Sequence, residues 1–124
     1  MNEEYHEHCV VVDYILRQYP DTLMTIAPNG IKLTMMQGVR FKRMGYRAGT
    51  PDILIFEPKG KWHGLFLEMK REKGGVVSEH QKEFLKRANE RGYYAVVCRG
   101  FDEAKKVIDE YFLFTKNLIG LVSL

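Results

Sequence analysis

Asp52, Glu68 and Lys70 are the residues of this chain whose types and spacing can do chemistry. Two carboxylates brought together offer oxygen ligands to a hard divalent cation. Mg²⁺ keeps several of its waters and needs only one or two carboxylates from a protein. A backbone carbonyl, such as that of Met69, can add a third oxygen. A cation held there makes water easier to ionise near neutral pH. An ammonium beside it can orient that water or offset charge growing on a phosphate. Without a cation the two carboxylates repel, and one must keep a proton.

The elements that must position these groups can be read from the flanking residues. Ile53-Leu54-Ile55-Phe56 and Leu65-Phe66-Leu67-Glu68-Met69 are short β-prone runs. Between them, Glu57 to Gly64 is rich in turn formers. Asp52 and Glu68 lie equally far in sequence from Gly60, so antiparallel pairing about that point makes them cross-strand neighbours. A bulge or a longer turn would shift the register. Side chains alternate faces along a strand. Glu68 and Lys70 therefore share a face, while Leu65, Leu67 and Met69 turn the other way toward a core. Charge in such an apolar strand is costly unless paired or metal-bound. Gly49-Thr50-Pro51 sets a turn directly before Asp52. The arrangement reads as a metal-dependent nuclease. The plainer alternative is an exposed hairpin with solvated charges at its end.

The ordered set Gly49-Thr50-Pro51-Asp52, Glu68-Met69-Lys70 and Ser78-Glu79-His80-Gln81 resembles the VRR-NUC family of the PD-(D/E)xK nuclease superfamily, in particular its short stand-alone phage and prophage members. The resemblance runs from about Glu4 to Phe112, and includes Ala27-Pro28-Asn29-Gly30 and the stretch from Gly92 to Cys98. It implies a restriction-endonuclease-like α/β core, a mixed β-sheet flanked by helices. It also implies Mg²⁺- or Mn²⁺-dependent cleavage of DNA phosphodiesters, a homodimer, and a preference for branched or flapped DNA. Carried over by position, Asp52 and Glu68 match metal ligands and Lys70 the catalytic lysine. Gln81 matches a helix glutamine near the site. The early family glutamate falls best on Glu4, with Glu3 and Glu7 close by. The Val-Arg-Arg tripeptide that names the family is replaced here by Val96-Val97-Cys98-Arg99. That departure touches no catalytic position.

Bulk properties fit such a reading without demanding it. A chain of 124 residues suits one domain spanning 1–124. Its hydrophobic and charged fractions, 45% and 28%, are those of an ordinary globular protein. A net charge of +3 neither requires nor excludes nucleic acid, so distribution matters more. No acidic residue occurs from Thr22 to Pro51, whereas Lys32, Arg40, Lys42, Arg43 and Arg47 are basic. This stretch leads directly into Asp52 and can supply phosphate contacts, or it can be a solvated face. Cys9 and Cys98 make neither a disulfide framework nor a zinc site, and both read as small apolar side chains. The N-terminus is acidic and polar without an early apolar core, and no run reaches transmembrane length. The expectation is a cytoplasmic protein with no membrane contact, within a bacterial host if the chain is phage-encoded.

The remaining segments supply the frame. Glu4 to Gln18 predicts a helix with Cys9, Val12, Ile15 and Leu16 on one stripe. His6 and His8 on it read as solvated or hydrogen-bonded, histidine being softer than Mg²⁺ prefers. Leu23 to Ile26 predicts a short strand, and Pro28-Asn29-Gly30 a turn. Thr34 to Met44 is either a short helix or an ordered loop. Ser78 and Gln81 have capping-box spacing at the head of a helix that runs to Arg91 and ends at Gly92. Capping is thus a structural role for Gln81 beside the functional one. Tyr93 to Cys98 predicts a strand, and Asp102 caps a last helix through Phe112. The apolar tail from about Leu113 to Leu124 would either cover its own core or pack in a two-fold dimer. The alternative function is a DNA-binding module of nuclease fold that is active only with a partner protein. An exonuclease acting from ends is a third reading.

Overall fold

The computed structural model describes residues 3–114. The tail from Thr115 to Leu124, and with it most of the segment expected to cover the core or a dimer partner, lies outside the described residues. The element order is α1 (Glu3–Gln18), β1 (Met24–Ile26), α2 (Met35–Met44), β2 (Ile53–Ile55), β3 (Leu65–Lys70), α3 (Glu79–Glu90), β4 (Tyr94–Arg99) and α4 (Gly100–Asp109), followed by a π-helical turn over Glu110–Phe114.

The four strands form one mixed sheet in the order β1-β2-β3-β4. β1 pairs antiparallel with β2, and β2 antiparallel with β3. β3 and β4 run parallel, joined by the α3 crossover. The β2–β3 register sets Ile53 opposite Leu67. Continued by one residue, it brings Asp52 opposite Glu68, as the symmetry about Gly60 predicts. The turn that fixes this register is tight. Lys59 and Trp62 exchange both backbone hydrogen bonds, at 3.1 and 2.9 Å, with Gly60 in the left-handed region between them.

Both faces of the sheet are covered, which explains why β3 is apolar at nearly every position. Leu65 and Leu67 enter one core with Val11 and Ile15 of α1 and with Ala104 and Ile108 of α4. Phe66 points to the opposite face and joins Ala88 and Ala95, flanked by Phe84 and Leu85 of α3. Glu68 shares the Phe66 face.

The structure differs from the sequence expectations in two places and decides a third that was left open. The buried stripe of α1 runs through Val11 and Ile15, whereas Leu16 is exposed. The helix therefore docks rotated from the stripe expected through Cys9 and Leu16. Asp102 does not cap α4. The Glu103 carboxylate accepts from the Arg99 backbone N–H at 3.1 Å, so the helix starts earlier, at Gly100. Of the two readings of Thr34 to Met44, the helix holds: it covers Met35–Met44 behind a Thr34–Gln37 capping box, although none of its residues is buried.

Gly49 is the residue that lets the chain reach Asp52. Its φ is +87°, and a Cβ there would lie 2.3 Å from the His80 carbonyl oxygen and 2.8 Å from the Gln81 nitrogen. The loop before Asp52 thus presses directly on the first turn of α3. Gly49→Ala should lower stability by roughly 2 kcal/mol or more, through strain and forced separation of the two segments. Gly38, inside α2 with open space around its Cα, should respond in the opposite sense. Gly38→Ala should gain up to about 1 kcal/mol from helix propensity. Urea midpoints of the two variants against the parent protein check both signs.

Candidate active site

Glu68 is 2% exposed and is the one charged residue in the core of the described residues. It stands near the end of β3, where the strand leaves the apolar layer. Its Oε2 accepts from the Gln81 side-chain amide at 3.3 Å and lies 3.8 Å from the Lys70 ammonium. Its Oε1 is buried without any hydrogen-bond partner. Burial pushes the Glu68 carboxyl up to about 8. The charge of the facing Asp52 adds to that rise, Lys70 opposes it, and the charge of Glu4 contributes a smaller push. An ammonium at 3.8 Å is therefore too little to compensate this buried pair.

Asp52 is held from two sides. Its Oδ2 accepts from the Met69 backbone N–H at 2.8 Å, which ties it to the strand carrying Glu68. Its Oδ1 accepts from the Asn29 amide at 2.8 Å. The same amide donates to the Thr50 carbonyl, and the Asn29 Oδ1 accepts from the Tyr46 hydroxyl. Three partners thus agree on one orientation of the Asn29 amide. Burial raises the Tyr46 phenol, with Asp52 and Glu68 adding to it by charge. Asn29 and Tyr46 are site residues that sequence reasoning missed. Pro28-Asn29-Gly30 was legible as a turn and as part of the family resemblance, but with no role for Asn29.

Gln81 makes the expected cap and also reaches Glu68. Its Oε1 accepts from the Ser78 N–H at 2.8 Å, and its own N–H donates to the Ser78 hydroxyl at 3.1 Å. With the carbonyl end fixed by the cap, the amide nitrogen is left to face Glu68. Glu4 lies at the rim, exposed and paired with Arg71 at 3.3 Å. It joins the carboxylates through charge and not through contact. Lys32, Arg40, Lys42, Arg43 and Arg47 are all exposed. Of these, Lys42 and Arg47 line a groove of about 930 Å³ on the α3 side of the sheet, whereas Lys32, Arg40 and Arg43 do not.

The carboxylates suit a hard cation. Both offer oxygen, one buried oxygen lacks any partner, and burial first and the facing Asp52 second disfavour the ionised Glu68, which a cation would favour. Among the described residues no group of three or more histidine, cysteine, aspartate or glutamate side chains gathers. A cation here would rest on this pair, on the backbone and on water.

A family model of the VRR-NUC domain matches residues 3–102. The chain belongs to the VRR-NUC family. A solved structure of a VRR_NUC domain protein matches with a TM-score of 0.77 and 30% sequence identity, covering 90% of this chain and 88% of that one. No curated protein matches. Membership of the VRR-NUC family carries a nuclease-type function directed at DNA. The matched span contains Asp52, Glu68, Lys70 and Gln81.

Stability should report the strained pair directly. Folded Glu68 binds its proton more tightly than an ordinary glutamate near 4.5. Its contribution to stability is therefore complete below that value and is lost as pH rises toward about 8. In the absence of divalent metal, the urea midpoint should fall across this window. Glu68→Gln, which stays neutral, should flatten the fall.

Proposed function

We propose that this protein is a Mg²⁺- or Mn²⁺-dependent DNA endonuclease that hydrolyses phosphodiester bonds in branched, flapped or junction DNA. The buried, unpartnered Glu68 oxygen opposite Asp52 is the observation that carries this reading. Asp52 and Glu68 would hold the cation, with the Met69 carbonyl as a third oxygen. When bound, such a cation makes water easier to ionise and neutralises charge on the phosphate.

The chain's own residues do the rest. The Asn29 amide and the Met69 N–H fix the Asp52 carboxylate between two strands. Gln81, oriented by its cap on Ser78, holds Glu68 Oε2. Lys70 Nζ shares the Glu68 face at 15% exposure, open enough to meet a phosphate or an attacking water. Its positive charge opposes the negative charge that builds on the phosphoryl oxygens as the bond to the leaving sugar oxygen breaks. Glu4, held by Arg71, adds negative potential at the rim. Lys32, Arg40, Lys42, Arg43 and Arg47 would contact the DNA backbone, a role suited to exposed cations.

Two copies related by a two-fold axis would bring two sites to two strands, so a homodimer suits branched substrates. Two free thiols, Cys9 and Cys98, fit a reducing cytoplasm. No described helix is long and apolar enough to cross a membrane.

Cleavage of labelled linear duplex, supercoiled circle, flap and four-way junction in Mg²⁺ and in Mn²⁺ tests the proposal. Cutting should require metal, extend to the circle and disappear in Glu68→Gln. Lys70→Ala should retain DNA binding while cleavage falls by roughly 10²- to 10³-fold, the scale of losing one transition-state electrostatic contact. Cutting confined to linear ends would make the protein an exonuclease. Binding without cutting of any substrate would favour a module dependent on a partner protein.

A further inference from the structure

α2 is held at its ends but has no buried residue, and the space between it and α3 is the groove of about 930 Å³. Its wall is aromatic. Phe41 comes from α2, Phe84 from α3, and Tyr93 stacks on Phe66 with ring centroids 4.6 Å apart. Its charge is unbalanced. Lys42, Arg47, Arg87 and Arg91 line it against a single carboxylate, Glu83.

The groove is continuous with the carboxylate site. Ala48 lines it just before the Gly49 approach to α3, and His80 lines it next to Gln81. Tyr46 lines it too, and its hydroxyl reaches Asp52 through Asn29.

We infer that this groove binds an unpaired nucleic-acid strand leading into the active site. Its bases would stack on Phe41, Phe84 and Tyr93, and its phosphates would meet Lys42, Arg47, Arg87 and Arg91. Aromatic platforms beside a cationic track are the physical requirement for holding single strands without reading their sequence. An intact duplex keeps its bases inside the helix and can use only the cations. The groove thereby supplies a reason for preferring flapped over continuous DNA. The inference rests on the nuclease reading for the identity of the polyanion. A second copy of this chain is the competing occupant, because Met35, Met36 and Val39 leave the outer side of α2 exposed and apolar.

The test is binding in EDTA, where cleavage is silent. The probes are a labelled oligothymidylate, a blunt duplex, and a strand carrying 2-aminopurine, whose emission is quenched on stacking. Arg87→Glu and Phe41→Ala should each weaken oligothymidylate binding by about tenfold, the scale of one stacked base. Phe41→Ala should change duplex binding much less and should lose the quenching, whereas Arg87→Glu removes a cation that a duplex can also use and should weaken both. Arg87 is exposed, so its variant stays informative if Phe41→Ala fails to fold. Wild-type affinity for the single strand in Arg87→Glu would overturn the inference. So would an equal loss on duplex in Phe41→Ala, or a change of sedimenting mass that marks the groove as a contact between copies. Metal-dependent cleavage with no groove effect would remove this inference alone. A groove effect without any cleavage would remove the nuclease reading and leave the groove.

Discussion

The burial of Glu68 opposite Asp52 is the constraint on which the rest of this structure depends. Ionised carboxylates so close together, one of them 2% exposed, repel strongly in a poorly solvated place. The fold maintains this arrangement instead of relieving it. Met69 and Asn29 grip Asp52, and Gln81 grips Glu68. Lys70 reduces the strain without removing it. Under the proposed function, a divalent cation would supply the positive charge that the pair lacks, with the right ligand chemistry.

Each gripping residue depends on a different element, so the site records the whole topology. The tight turn at Gly60 sets the β2–β3 register and makes the carboxylates opposite one another. The crossover from β3 to β4 returns α3 across the Glu68 face, where its capping box aims the Gln81 amide. The close approach of Gly49 to the start of α3 joins these two parts. The loop after β1 contributes Asn29, and the segment after α2 contributes Tyr46. Substrate contacts on α2 would thus bear on the same hydrogen-bond chain that holds Asp52.

Much of this was legible in the sequence where a pattern was local or periodic. The hairpin symmetry about Gly60, the alternation that puts Glu68 and Lys70 on one face, and the Ser78–Gln81 cap all emerged as expected. α2 was ambiguous because its apolar residues face no core, and periodicity is informative only where a face is buried. Its Thr34–Gln37 capping box was present in the sequence and was the better signal. The α1 stripe was misjudged because Val11 and Leu16 are equally apolar, and only the packed helix against α4 selects between them. Asn29 fell within the family pattern but without an assigned role, and Tyr46 left no pattern to read. Their partners are distant in sequence, and their roles exist only once the loops have closed on Asp52.

The central claim is that this pair is a divalent cation site, and calorimetric titration of Mn²⁺ into the metal-free protein near pH 8 tests it most directly. The account predicts saturable binding that releases protons, because the Glu68 carboxyl must ionise to coordinate. It predicts that Asp52→Ala and Glu68→Gln abolish that binding and that Lys70→Ala leaves it in place. Binding that survives intact in Asp52→Ala or Glu68→Gln, or no binding to the parent protein, would contradict the account.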